Sequence, residues 1–204
     1  MIYLLRHGRT TYNAEGRFQG GLDSPLTPLG CDQALRVGRL LNSLIGSPEG
    51  WVIQASPLGR TIRTTEIICE QIGPNVGFSL DPRLAEVRMG AWDGLTDVEI
   101  EAEFPGQRAG ASRYDFFFRA PGGEGYDAFA ARLGDWLAEA LADPRPRIAI
   151  SHGVAGRVLR GLYLGLDPAE ALRQETPQDA VFRLEAGRAE RIECEPSTLA
   201  APTP

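Results

Sequence analysis

The sequence predicts an α/β fold, a three-layer α/β/α sandwich built around a mainly parallel sheet, and three observations predict it. Short apolar runs alternate with segments of helical period, as in βαβ units joined by right-handed crossovers. Two of those runs, Met1–Leu5 and 147–150, stop abruptly at Arg6-His7-Gly8 and Ser151-His152-Gly153, each followed by polar or helical sequence. At 204 residues, with 43% hydrophobic and 24% charged residues, the chain is long enough to bury a sizeable core. It reads as a single domain over residues 1–195, followed by a proline-rich tail, 196–204, expected to be disordered.

The elements follow in order. Met1–Leu5 is an apolar run of strand length. Residues 16–28 are rich in Gly, Asp, Ser and Pro and read as a loop. Thr27 then caps a helix that opens on Pro28, with Ala34, Val37, Leu41 and Leu44 along one face. Trp51–Ala55 is a second strand. Ser56-Pro57 leads into a helix running to about Ile72, with Ile62, Cys69 and Ile72 turned inward. Val76–Leu80 reads as a third strand, and Thr96-x-x-Glu99 as the capping box of a short helix stopped by Pro105. The stretch 107–125 is irregular and carries Phe116-Phe117-Phe118. Phe129, Leu133, Trp136, Leu137 and Leu141 fall on one face of a further helix. A strand at 148–150, a helix at 153–164 and a hairpin turning at Ala186-Gly187 complete the pattern.

Composition excludes several classes. The net charge of −6 lacks the basic face that nucleic-acid or anionic-membrane binding requires. No apolar run approaches the length of a membrane span. Met1–Leu5 reads as strand rather than leader. The three cysteines are widely spaced without a CxxC motif, the pattern of reduced thiols, so a cytoplasmic location is expected. A homodimer is compatible with the sequence but not indicated by it.

His7 and His152 are the only histidines, and each stands where a strand stops. In an open α/β sheet the carboxyl ends of the strands are where ligands bind. Parallel pairing would gather Arg6, His7, Ser56, Arg60, Ser151 and His152 along one edge. All 21 basic residues are arginine, whose planar fork matches phosphate or carboxylate oxygens. A helix beginning at Gly153 is expected to add N–H donors for an anion and to disfavour protonation of a nearby imidazole. Guanidiniums surrounding a neutral imidazole suit phosphoryl transfer, which asks for positioning and positive charge.

Leu5-Arg6-His7-Gly8-x-Thr10-x-x-Asn13, with Arg17-Phe18-Gln19-Gly20 and Leu26-Thr27-x-x-Gly30, resembles the opening of the histidine phosphatase superfamily, the phosphoglycerate-mutase-like proteins. Ser56-Pro57-Leu58-Gly59-Arg60-Thr61, Leu84-Ala85-Glu86 through Gly94-Leu95-Thr96, and Ser151-His152-Gly153 agree with that family in the same order. The resemblance implies an α/β/α sandwich and a phosphohistidine intermediate on His7. It implies a phosphate pocket of Arg6, Asn13, Arg60 and His152, with Glu86 as proton donor. Gln19, Gly20 and Gly153, inside the same blocks, are read as substrate-binding, and no cofactor or metal is expected. The block around Glu86 looks like the phosphatase branch, so hydrolysis of a small phosphorylated metabolite is the expected activity. The alternative is a phosphoglycerate mutase using the same intermediate, with Arg17, Arg83, Arg88, Arg108 and Arg113 as candidate extra cations.

Two other classes fit the residues less well. His7, His152 and Glu86 are ligand types for a metal-dependent hydrolase, but Arg6 and Arg60 beside them would repel a divalent cation. A phospho-ligand sensor would have no need of both a nucleophile and an acid.

Overall fold

Six strands form one sheet in the spatial order β3-β2-β4-β1-β5-β6, where β1 is Ile2–Arg6, β2 Val52–Ala55, β3 Ser79–Leu80, β4 Arg147–Ser151, β5 Ala180–Glu185 and β6 Arg188–Glu193. The structure is a computed structural model and describes residues 1–197; the greater part of the expected disordered tail lies outside the described residues. Strands β3, β2, β4 and β1 run parallel, and β5 and β6 pair antiparallel beyond β1. The hairpin turns at Ala186-Gly187, both at positive φ, as the sequence predicts.

The alternation of β1 divides its side chains between two cores. Ile2 and Leu4 pack with helices α5 (Tyr126–Ala142) and α6 (Gly153–Leu164), burying Phe129, Leu133, Trp136, Val158 and Leu159. Tyr3 and Leu5 face helices α2 (Pro28–Ile45) and α3 (Gly59–Ile72), with Val37, Leu41, Ile68 and Ile72. This period-two partition is what makes the sandwich three-layered. Thr27 and Pro28 start α2, and Thr96 with Glu99 forms a capping box on helix α4 (Asp97–Glu103), as read from sequence. Among the described residues, no helix is long and apolar enough to cross a membrane.

Several expectations need correction. The third strand is only Ser79–Leu80, an exposed edge pair, because Pro74, Asn75 and Gly77 hold the preceding segment out of the ladder. One-turn helix α1 (Thr11–Glu15) and helix α7 (Pro168–Arg173) were not foreseen. The first has Thr10 and Asn13 capping each other, and the second follows an Asp167-Pro168 start. On α3, Ile62 is only half-buried. The inward face includes Thr61, Thr64 and Thr65, whose hydroxyls bond to the carbonyls of Ser56, Arg60 and Thr61 at 2.7–2.9 Å and so can be buried. Leu141, on the last turn of α5, is 55% exposed.

The segment after β1 is laid directly across the start of α2. A β-carbon on Gly8 would stand 2.3 Å from the Gly30 carbonyl oxygen, and one on Gly30 would stand 2.0 Å from that of Arg9. Both contacts are with backbone, so neither can be relieved by a rotamer change. Gly30→Ala is expected to cost about 1–3 kcal/mol in urea unfolding and to lower activity with it, since Arg9 is two residues from His7.

Candidate active site

The register of the parallel strands brings the two histidines together. Leu5 and Ala55 both pair with Ile150 of β4, and the ladder continues with His7 N–H donating to Ser151 O (3.1 Å) and Ser56 N–H to Ile150 O (3.0 Å). The imidazoles of His7 and His152 meet edge-on, ring centres 5.2 Å apart and planes at 62°. His7 Nδ1 lies 2.8 Å from Gly8 O, which can only accept, so Nδ1 carries the proton and Nε2 keeps its lone pair. Burial pushes the His7 imidazole well below its ordinary pKa, and the charges of Arg6 and Arg60 push it further. His152 is depressed in the same sense, by burial first and then by Arg60. Its Nε2 lies 2.7 Å from Ser56 Oγ, while its buried Nδ1 has no protein partner among the described residues.

Arg6, His7, Asn13, Gln19, Gly20, Arg60, Glu86 and Gly153 line one cavity of about 230 Å³. His152 does not line it. It stands behind His7, against a smaller space of about 20 Å³ that it shares with Arg6 and Gly153. Arg6 donates from Nη1 to Thr176 O (2.9 Å), and its buried Nε is unpartnered. Desolvation brings its pKa down to about 10, which leaves it cationic at neutral pH. Asn13 has its amide oxygen fixed by Thr10 N–H and Gln178 Nε2, both at 3.2 Å, which leaves its NH₂ for the cavity. Gly20 adopts a φ of +49°, where a side chain would strike Asp93.

Two expectations change here. The N–H groups of Val154 and Ala155, in the first turn of α6, are not free for an external anion. Val154 N–H donates to Glu86 Oε2 and Ala155 N–H to Glu86 Oε1, each at 3.0 Å, so this carboxylate occupies the positive end of the helix. Arg60 is both a structural and a cavity residue. Its Nη atoms bind Leu22 O (2.5 Å), Asp23 Oδ1 (2.9 Å) and Gly20 O (3.0 Å), and only Nε is unpartnered.

This arrangement, a proton-fixed imidazole facing buried guanidiniums at the ends of parallel strands, coincides with a sequence match along nearly the whole chain. The profile of the histidine phosphatase superfamily (branch 1) matches residues 2–193. The chain belongs to the histidine phosphatase superfamily. A protein named probable phosphoglycerate mutase GpmB, from Salmonella paratyphi C (strain RKS4594), is 41% identical over 176 residues, 85% of this chain and 78% of that protein. Among solved structures, the mycobacterial glucosyl-3-phosphoglycerate phosphatase Rv2419c, described in complex with VO3, superposes with a TM-score of 0.70. It is 29% identical and covers 89% of this chain and 90% of its own. Bacillus stearothermophilus YhfR superposes with a TM-score of 0.77 at 27% identity, covering 94% and 95%.

In this histidine phosphatase the walls of the cavity also include residues that sequence reading passed over. Arg157, Thr176 and Met89 are these; Val154 lines it too, as do Phe18, from a block quoted for the family resemblance, and Phe116 and Phe117, part of a run singled out in the sequence. Gln178 Nε2 bridges His7 O (3.0 Å) and Asn13 Oδ1, a contact 171 residues apart in sequence with no local signal. Arg132 clamps the loop that carries Glu86. It donates to the carbonyls of Arg83 (2.7 Å), Ala85 (2.8 Å) and Glu86 (3.1 Å) while its Nε and Nη2 grip Glu124. Among the candidate extra cations, Arg83 is spent on Asp81 and Glu139, Arg108 on Asp97, and Arg17 on Glu15 and Glu99. Arg88 does not line the cavity, whereas Arg113 does.

The depressed imidazoles set a pH expectation. A basic group whose folded pKa is lowered stays neutral below its ordinary value of 6.5, so His7 keeps its lone pair into acid solution. The acid limb of kcat/KM for p-nitrophenyl phosphate, corrected for ionisation of the ester itself, is expected well below pH 6.5. A limb at 6.5 or above would contradict the His7 environment described here.

Proposed function

We propose that this protein is a phosphomonoesterase that acts without a metal ion, through a phosphohistidine formed on His7. The observation that carries the reading is the Nδ1–H to Gly8 O bond, which leaves Nε2 as the free nitrogen of a residue lining an arginine-rich cavity. In the first step Nε2 attacks phosphorus as the bond to the leaving oxygen breaks. Arg6, the Nε of Arg60 and the amide NH₂ of Asn13 take up charge on the equatorial oxygens. His152 contributes from behind. Leu58 N–H approaches Ser56 Oγ at 3.4 Å, so the hydroxyl can donate to His152 Nε2, leaving a neutral ring with Nδ1–H to give. Glu86 gives a proton to the leaving oxygen and takes one from the water that then attacks the phosphohistidine, returning the enzyme to its first state. Among the described residues no group of three or more His, Cys, Asp or Glu side chains is placed to hold a metal ion, and both Glu86 oxygens already accept N–H bonds.

The mutase reading retains one support: the relative at 41% identity is named a probable phosphoglycerate mutase. The deciding experiment is a panel of phosphorylated metabolites assayed with a chelator present. Release of free phosphate is scored separately from isomerisation of 3- to 2-phosphoglycerate with a bisphosphorylated primer. Phosphate release undiminished by the chelator is expected; isomerisation without release would establish the mutase instead.

A further inference from the structure

Asn13 serves the proposed reaction only one way round. Its amide carries an acceptor at one end and donors at the other, and only the NH₂ can meet a phosphate oxygen. Its mount gives little help, because α1 is a single turn with no buried residue and is too short to hold its shape alone. Hydrogen bonds fix the amide instead, and they come from two sides. Thr10 N–H, a main-chain donor, meets Oδ1 at 3.2 Å, and Gln178 Nε2 meets the same atom at 3.2 Å.

Gln178 is itself set one way round. Its Nε2 lies 3.0 Å from His7 O, a main-chain oxygen that can only accept, so the NH₂ must face it and the second hydrogen is left for Asn13 Oδ1. Orientation thus passes from the carbonyl of the nucleophile's own residue, through Gln178, to Asn13. Gln178 does not line the cavity, so it stands one step removed from any substrate. Its mount is stiff. The carbonyls of Gln174, Glu175 and Thr176 accept in turn from Arg157 Nε (2.6 Å), Arg160 Nη2 (2.5 Å) and Arg6 Nη1 (2.9 Å). Pro177 fixes φ immediately before Gln178, and Asp179 O accepts from Cys194 N–H at 3.0 Å. Arg6 shares this mount, so the segment 174–179 sets Arg6 and Asn13 relative to each other.

We infer that Gln178 is a positioning residue for the phosphoryl site, which turns the Asn13 amide so that its NH₂ faces the equatorial oxygens. This rests on the function proposed above, in which Asn13 takes up phosphoryl charge, and adds to it a residue that never touches substrate. Without Gln178, Asn13 keeps only Thr10 N–H, and its amide is free to present Oδ1 to the phosphate, acceptor against acceptor. The loss should then be most of what Asn13 contributes, which for a hydrogen bond to a charged group is about ten-fold or more in affinity.

The test is a double-variant cycle read by calorimetric titration with inorganic phosphate. Asn13→Ala and Gln178→Met are each expected to weaken phosphate binding by about ten-fold. The double variant is expected to bind no more weakly than Asn13→Ala alone, because Gln178 then has nothing left to aim. Gln178→Ala, which admits water to both acceptors, should couple to Asn13 in the same sense and keeps the test open if the methionine variant fails to fold. Losses that multiply in the double variant would assign Gln178 to the fold or to the His7 carbonyl and overturn the inference. So would either single variant that binds phosphate as tightly as the wild type. Phosphate binding needs no covalent step, which separates this from the reaction itself. Coupling between the two residues upholds the inference even if no phosphoenzyme is ever found, and its absence overturns it even if one is.

Discussion

His7→Ala is expected to lower turnover of any phosphomonoester by about 10⁴-fold or more, because it removes the nucleophile and not merely one contact to the transition state. The same variant should fail to accumulate a phosphoenzyme. In the wild-type protein, rapid acid-free quenching after mixing with a labelled ester should trap a protein-bound phosphate that survives alkali and is lost in acid, the behaviour of a phosphoramidate. The substitution removes a buried side chain that bonds only its own neighbour's carbonyl, so a large change in fold is not expected. Far-UV spectra and the unfolding midpoint check that. The sharper control is His152→Asn. That ring does not line the cavity, and it acts in the proposal by hydrogen bonding. Its loss should therefore slow phosphoenzyme formation without preventing it. A trapped phosphate persisting in His7→Ala, or one that is stable to acid in the wild type, would place the covalent step elsewhere or remove it.

The parts of this site that were legible in the sequence are those fixed by local chemistry. A strand ending in Arg6-His7-Gly8 must present its imidazole at the carboxyl end of the sheet, and the parallel register with β4 then delivers His152 beside it. Caps were legible for the same reason: Thr27-Pro28 and Thr96-x-x-Glu99 satisfy their own helix starts. What sequence could not show was competition for donors and acceptors. A helix start at Gly153 reads as an open anion site, yet an anion from 68 residues away, Glu86, already fills it. Arg60 reads as a free fork, yet the loop 20–23 folds back to occupy both of its ends. Arg157 gave no motif at all. It becomes visible only because α6 turns it toward the cavity that Arg113 also lines. Burial of Thr61, Thr64 and Thr65 on α3 escaped a reading based on apolar periodicity, since hydroxyl bonds to main-chain carbonyls make those positions tolerable inside.

Glu86→Gln should change the reaction selectively. The proposed acid matters in proportion to how badly the departing oxygen needs a proton. Alkyl esters, with poorly stabilised alkoxide leaving groups, are expected to slow by about 10²–10⁴-fold, while 2,4-dinitrophenyl phosphate should be nearly unaffected. Plotted against the acidity of the leaving alcohol, rates for the variant should therefore fall on a steeper line than those of the wild type. The substitution also has a structural effect that must be separated from this. With its oxygen in the place of Oε1, the glutamine amide would turn N–H toward Val154 N–H, donor against donor, and part of the cap on α6 would be lost. That should cost about 1 kcal/mol, a fall of about 2–4 °C in Tm for a chain of this size, and it would depress all substrates alike. Position is the second half of the same argument, because the Arg132–Glu124 clamp holds the carbonyls on either side of Glu86. A disturbed clamp misplaces the carboxyl without removing it, so it too should steepen the line rather than merely lower it. Parallel lines for wild type and Glu86→Gln, displaced by the same factor at every leaving group, would show that the carboxylate serves the helix and not the proton.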